Sequence, residues 1–243
     1  MRLPGRDFDK AFDKALKHDD VRFTFQGDES YQVAVLTLDN DTFNGGATWD
    51  HVFGRDGNDR LFGNAGTDIL QGDAGNDELY GGGGMDRLDG GMGDDRLFGG
   101  DMADEVMGME GADFIDAGAG HDMIEGGKGN DTIRGGTGAD AFIVDPESGF
   151  DVVLDMEVLG MAQGAFDHLA LRDILPEQVS VRNTNRGALV SWNTDGDLRA
   201  EGSVLLQDVF KADLRQSDFM FVSQPGFVAG IEDFGSHYVF PIA

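Results

Sequence analysis

A nine-residue period runs without interruption through residues 45–143, and it restricts the possible folds more than any other feature of the chain. With glycine at position 1, successive units read Gly54-Arg-Asp-Gly57-Asn-Asp59-Arg-Leu61-Phe62, Gly63-Asn-Ala-Gly66-Thr-Asp68-Ile-Leu70-Gln71 and Gly72-Asp-Ala-Gly75-Asn-Asp77-Glu-Leu79-Tyr80. The register continues through units beginning at Gly81, Gly90, Gly99, Gly108, Ala117, Gly126 and Gly135, and an earlier unit begins at Gly45, giving eleven in all. Position 6 is aspartate every time: Asp50, Asp59, Asp68, Asp77, Asp86, Asp95, Asp104, Asp113, Asp122, Asp131 and Asp140. Position 8 is apolar every time: Val52, Leu61, Leu70, Leu79, Leu88, Leu97, Val106, Ile115, Ile124, Ile133 and Phe142. Asp41-Thr42-Phe43-Asn44 reads as a half unit ahead of the first.

A flexible glycine-rich linker or a disordered acidic tract has no reason to hold an aspartate and an apolar residue in phase over eleven units. The three residues around position 8 suit a short strand whose middle side chain points inward. Six residues of glycine-rich loop then reverse the chain, because glycine reaches the positive-φ conformations that such a turn needs. Two units complete one coil, so loops 18 residues apart stack on one another. Asp59, Asp77, Asp95, Asp113 and Asp131 then line one edge, and Asp50, Asp68, Asp86, Asp104, Asp122 and Asp140 the other. Bare carboxylates stacked at a strand spacing of roughly 4.8 Å would repel strongly. A hard divalent cation between successive loops removes that repulsion. Calcium, which takes six or more oxygen ligands in a flexible arrangement, suits such loops better than magnesium with its tight octahedron.

The overall charge points the same way. Against 18 basic side chains stand 46 acidic ones, for a formal charge of −28. Such a surface repels nucleic acid and anionic membranes, so neither is an expected partner. No run of about 18 apolar residues is present, so no membrane span is expected. The absence of cysteine excludes disulfides and thiolate metal sites.

These repeats resemble the RTX family, the glycine-rich calcium-binding modules of secreted bacterial hemolysins, serralysin-type proteases, lipases and mannuronan epimerases. The resemblance implies an all-β fold: a right-handed parallel β-roll with an N-terminal helix/strand cap and a C-terminal β-rich cap. It implies ions held between stacked loops, each by two position 6 aspartates and by backbone carbonyls. One loop supplies the carbonyls of positions 2 and 4, and the next loop on that edge supplies those of positions 1 and 3. One such site uses Asp73, Gly75 and Asp77 with Gly90, Met92 and Asp95; another uses Gly82, Gly84 and Asp86 with Gly99, Asp101 and Asp104. Carried along the repeats, the position 1 donors are Gly72, Gly81, Gly90, Gly99, Gly108, Gly126 and Gly135, and the position 2 donors Asn64, Asp73, Gly82, Gly91, Met109 and Gly118. Position 3 contributes Ala74, Gly83, Met92, Asp101, Glu110, Lys128 and Thr137, and position 4 contributes Gly66, Gly75, Gly84, Gly93, Gly111 and Gly120. Donation by carbonyls leaves the side chains at positions 2 and 3 free to vary, as Arg55, Asn64, Met109 and Lys128 do. Met102 in place of the position 4 glycine, Thr48 and Ala117 depart from the pattern, and strain is expected where the Met102 loop stacks on 117–122. Stacking allows about nine ions, enough to offset 18 of the 28 negative charges, with a tenth if Asp41 contributes. A site absent from the unfolded chain makes binding energy into folding energy, so folding on calcium at roughly 10⁻⁴ to 10⁻³ M is expected.

Around this roll the sequence divides into an N-terminal cap over 1–44, the roll over 45–143, a C-terminal β-cap over 144–222 and an apolar tail over 223–243. Phe8, Phe12, Ala15 and Leu16 share one face of a helix over 7–17. Strands are expected over Val21–Phe25 and Tyr31–Leu38, and later at Val152–Leu154, His168–Leu171, Val179–Arg182, Ala188–Trp192, Val204–Leu206 and Phe219–Val222. No apolar stretch follows Met1, so no cleavable signal peptide is expected. The histidines His18, His51, His121, His168 and His237 form no H-E-x-x-H, and there is no G-x-S-x-G elbow, so no enzyme is expected. His121, beside Asp122, reads as a solvated loop residue. The expected protein is an extracellular, non-enzymatic calcium-binding module, exported in the manner of type I secretion. Its expected partners are calcium and, through the tail, a polysaccharide, a cell surface or other protein subunits. The alternatives are a calcium-rigidified subunit of a surface layer, appendage or virion, and an auxiliary module of a secreted enzyme.

Overall fold

Position 8 residues are the hinge between pattern and fold. Their side chains are flanked at positions 7 and 9 by polar and apolar residues that are mostly partly exposed, so burial alternates as in a half-buried strand. In the computed structural model, which describes residues 23–26, 31–158, 166–194, 201–215 and 218–222, this alternation builds two facing sheets. The helix expected over 7–17 and the apolar tail over 223–243 lie outside the described residues.

One ten-stranded sheet runs in the spatial order β1 (Phe23–Gln26), β2 (Tyr31–Val35), β4 (Trp49–Phe53), β6 (Ile69–Gln71), β8 (Arg87–Met92), β10 (Glu105–Glu110), β12 (Met123–Lys128), β14 (Ala141–Val144), β16 (His168–Arg172) and β20 (Phe219–Val222). The other ten-stranded sheet runs β3 (Thr42–Asn44), β5 (Arg60–Ala65), β7 (Glu78–Gly83), β9 (Arg96–Asp101), β11 (Phe114–Gly120), β13 (Thr132–Gly138), β15 (Phe150–Val153), β19 (Gly202–Gln207), β18 (Gly187–Trp192) and β17 (Val179–Asn183). Even-numbered repeat strands pair only with even, and odd with odd, in parallel register: Leu79 opposes Leu97, and Val106 opposes Ile124. Each step between paired repeat strands is one coil of two units. The architecture is a right-handed parallel β-roll of about seven turns. Antiparallel pairing is confined to the ends, where β1 joins β2 and β18 lies between β17 and β19.

Most repeat strands are longer than the expected three residues, β6 being the exception. β9 spans six, because the parallel ladder continues through positions 1 to 3 of the loop, with Gly82 opposite Gly100 and Gly83 opposite Asp101. Stacked loops of equal length keep their backbones in hydrogen-bonding reach, so the loop becomes part of the sheet. The coil geometry also reaches past the repeats at both ends, since β2 and β3 stack on β4 and β5, and β15 and β16 stack on β13 and β14. Among the described residues the only helix is the 3-10 turn Pro176–Gln178, and no helix is long and apolar enough to cross a membrane.

Between the sheets lies one continuous column of position 8 side chains. Leu61, Leu70, Leu79, Leu88, Leu97, Val106, Ile115 and Ile124 have no exposure at all. The column ends at Phe142, Val153, Leu169 and Trp192 of the C-terminal strands. Complete burial of a Leu side chain contributes about 1.5–3 kcal/mol. The core is only one residue wide per strand, so the loops must contribute much of what holds the coils together. On the outer face Phe62, Tyr80 and Phe98 stack at centroid spacings of 4.8 and 4.7 Å. Arg60 pairs with Glu78 at 2.7 Å, an exposed contact of small energetic weight. Replacing Leu79 with alanine opens a cavity in the column and should cost about 2–5 kcal/mol, read as a shift of the urea midpoint in saturating calcium, whereas Leu79→Met should cost less than about 1.5 kcal/mol.

Candidate metal sites

The aspartate of each repeat is tied down through one oxygen only. The Asp50 N–H donates to Asp68 Oδ1 at 2.7 Å, Asp68 to Asp86 at 2.7 Å, Asp86 to Asp104 at 2.8 Å, Asp104 to Asp122 at 2.9 Å and Asp122 to Asp140 at 3.0 Å. The other edge follows the same rule from Asp59 through Asp77, Asp95 and Asp113 to Asp131, with spacings of 2.7–2.9 Å. Asp41 starts that edge by donating its N–H to Asp59 Oδ1 at 2.7 Å. The two expected ladders are therefore present, and all eleven position 6 aspartates are at most 3% exposed.

The second oxygen decides what the ladders can do. Oδ2 of Asp68, Asp77, Asp86, Asp95, Asp104, Asp113, Asp122, Asp131 and Asp140 is buried without a hydrogen-bond partner. A buried carboxylate oxygen left in that state is costly, and native structures seldom keep one. The oxygens of Asp68, Asp77, Asp86, Asp95, Asp104 and Asp113 each lie over the position 1 glycine of their own loop, where the position 1 carbonyl of the next coil also arrives. A methyl group on Gly81 would lie 2.5 Å from Asp86 Oδ2 and 2.6 Å from the Gly99 carbonyl oxygen. On Gly90 it would lie 2.5 Å from Asp95 Oδ2 and 2.8 Å from the Gly108 carbonyl. The same convergence occurs at Gly45, Gly54, Gly63, Gly72, Gly99 and Gly108. Glycine at position 1 thus keeps open an oxygen-lined cradle that a Cβ would fill, and an oxygen-only donor set matches calcium.

Carbonyls at positions 2 and 3 also face the neighbouring coil. Asp73 O accepts from Met92 N–H at 2.7 Å, and Met92 O accepts from Gly75 N–H at 2.8 Å. Each carbonyl oxygen retains a second lone pair after such a bond. Among the described residues no three acidic or histidine side chains gather into a cluster. Any ion at these loops must therefore take backbone oxygens, and the residues present fit that demand.

Three local features were not legible from the repeat pattern. Position 2 is in the left-handed region even when it is not glycine, at Arg55 (φ 79°), Asn64 (φ 72°), Asp73 (φ 70°) and Met109 (φ 80°). Variation there is consequently not free, as carbonyl donation alone suggests, but carries strain that glycine avoids. Position 5 carries a second ladder: Asn58 Oδ1 accepts from Asn76 N–H at 2.9 Å, Asn76 Oδ1 from Asp94 at 3.1 Å and Asp94 Oδ1 from Ala112 at 2.9 Å. His121 belongs to the corresponding row on the other edge: it is an exposed loop residue, as expected, and its Nδ1 also accepts from Ala139 N–H at 2.9 Å. Met102 holds the left-handed turn at φ 76°, so the loop keeps its course with a strained residue at position 4.

Burial pushes the ladder carboxyls far above their ordinary value of 3.8: Asp86 to about 6, Asp95 to about 7 and Asp104 to about 8, with neighbouring rungs adding charge repulsion at Asp95 and Asp104. In the metal-free fold these groups hold protons that the unfolded chain has already released.

Residues 37–61, 62–97, 98–133 and 118–145 match four copies of the model for the RTX calcium-binding nonapeptide repeat. The fold and its cradles define a calcium-binding parallel β-roll. The repeat region, residues 37–145, belongs to the RTX nonapeptide-repeat family. No curated protein matches the chain. Among solved structures, the AlgE6R3 subunit of the Azotobacter vinelandii mannuronan C5-epimerase is similar, with 22% identity over 63% of this chain and 88% of that chain and a TM-score of 0.43.

Two outcomes follow from this geometry. Raised folded-state carboxyl values mean that the stability of the metal-free roll falls as pH rises from about 4 to about 8. Strand circular dichroism in metal-depleted buffer should therefore be stronger at pH 5 than at pH 8, while apparent calcium affinity should run the opposite way because ion and proton compete. Met102→Gly should stabilise the roll in calcium by about 0.5–1 kcal/mol, read as a higher urea midpoint, since relief of left-handed strain exceeds the added freedom of glycine in the unfolded chain.

Proposed function

We propose that this chain is an exported, non-enzymatic module that folds on binding about nine calcium ions between its stacked loops and then acts outside the cell as a structural or adhesive element. The observation that carries the reading is the row of buried, partnerless Oδ2 atoms, which from Asp68 through Asp113 converge with carbonyl oxygens on cradles kept open by glycine. Each ion takes the aspartates of two successive loops on one edge, as in Asp77 with Asp95 or Asp86 with Asp104. The carbonyls at positions 2 and 4 of the lower loop and 1 and 3 of the upper complete the shell. With the net charge at −28, the metal-free roll is opposed both by desolvation of each carboxylate and by repulsion along each ladder. Extracellular calcium modules bind at about 10⁻⁴ to 10⁻³ M, so the chain stays unfolded at cytosolic calcium and folds outside. A polysaccharide or cell-surface partner suits such a rigid rod.

A calcium titration followed by far-UV circular dichroism and native mass spectrometry tests the reading. Strand signal should appear cooperatively with the binding of about nine ions, magnesium should not substitute, and chelation should reverse the transition. A chain equally folded in excess chelator at neutral pH, with no bound calcium, would overturn it. Gly81→Ala should weaken calcium-induced folding by filling one cradle.

A further inference from the structure

After Ile143 the glycine rhythm stops in the sequence, yet the roll does not stop there. Two residues later, Pro146-Glu147-Ser148-Gly149-Phe150-Asp151-Val152-Val153-Leu154 occupies the place of a twelfth nonapeptide, outside the residues that match the repeat model. Thr132 opposes Val152, and Ile133 opposes Val153, whose side chain is 1% exposed, as a position 8 residue should be. Gly149 stands at position 4 with a left-handed φ of 94°, and a methyl group on it would collide with the Gly129 carbonyl oxygen. Gly129 N–H donates to the Ser148 carbonyl at 3.1 Å, as position 4 donates to position 3 elsewhere, and Phe150 N–H donates to the position 5 side chain Asn130 at 3.0 Å. Asp131 N–H donates to Asp151 Oδ1 at 3.0 Å, which makes Asp151 the next rung on the Asp59 edge. Below it, Asp131 Oδ2 is buried without a partner.

We infer that the loops 126–131 and 146–151 hold a further calcium ion, bound by Asp131 and Asp151 with the carbonyls of Gly127, Gly129 and Ser148. The inference rests on the reading of the regular cradles as calcium sites. This site differs from them in one respect: the carbonyl of Pro146, at position 1, accepts a hydrogen bond from Trp192 Nε1 at 3.0 Å. Trp192 is 1% exposed, so the indole replaces the ion as partner of that carbonyl and ties the terminal site to strand β18 of the C-terminal cap. A ligand fewer from the protein leaves a coordination position for water, so the terminal ion should exchange faster than those within the ladder.

The chain has two tryptophans, and Trp49→Phe leaves Trp192 as the only one. Terbium luminescence sensitised through tryptophan then reports an ion beside Trp192. In the full-length Trp49→Phe protein, adding Asp151→Asn should reduce the sensitised emission severalfold while calcium-induced strand signal remains. Glu78→Gln, on the outer face and outside every cradle, should leave the emission as it was. Asp151→Glu, which keeps the charge, should retain folding and part of the emission, and it serves as the reading if Asp151→Asn does not fold. Emission from both Asp151 variants equal to that of the parent would overturn the inference. A parent that shows neither calcium-induced strand signal nor terbium emission would instead remove the reading on which it rests.

Discussion

Every coil of this roll places a carboxylate in the interior and completes only half of its bonding. One oxygen receives the amide of the rung before it, with donor–acceptor distances of 2.7–3.0 Å along the Asp50 edge, and the other faces carbonyl oxygens. The first contact fixes the spacing and register of the loops. The second is unfavourable until a cation joins it, because it gathers negative and partially negative oxygens in a poorly solvated place. The fold and its proposed dependence on metal therefore have one origin, the aspartate at position 6.

This arrangement also explains why the hydrophobic core can be so thin. A column of one apolar side chain per strand buries little area per residue compared with a sandwich or a barrel, and the glycines add backbone entropy to be overcome. In the proposed function, cross-linking of adjacent loops by ions compensates for both deficits, since each ion bridges segments 18 residues apart. Solenoid stability is close to a sum of local and neighbour terms, so a defective loop weakens its own interface and leaves distant coils intact. Met102 and Ala117 are tolerated for that reason.

The ends of the solenoid need a different solution, because a terminal coil has no neighbour to stack on. At the C-terminal end the strands β15, β16, β19 and β20 extend both sheets, and Trp192 and Leu169 close the apolar column. Asp151 and Asp167 carry the two ladders one rung further, with Asp140 N–H donating to Asp167 Oδ1 at 2.9 Å. The cap therefore prolongs the roll before it terminates it, and the antiparallel strands β18 and β17 then end the second sheet.

The sequence by itself determined the period, the membership of the two ladders and the inward row at position 8, because these depend on spacing alone and the period contains no insertion between residues 45 and 143. It also determined that oxygen ligands, and no thiolate, would meet any metal. Only the tertiary structure decided what depends on stacking. The position 5 ladder through Asn58, Asn76 and Asp94 is invisible as a motif, since any residue there occupies a loop and only its neighbour one coil away makes it an acceptor. The left-handed backbone at position 2 is equally hidden, because Arg55 and Met109 give no sign of it. The twelfth unit is hidden from linear reading because Val144 and Asp145 break the nine-residue count. In space those two residues are absorbed at a turn, and the next strand finds its place beside β13 because parallel pairing and the buried row specify register where sequence distance does not.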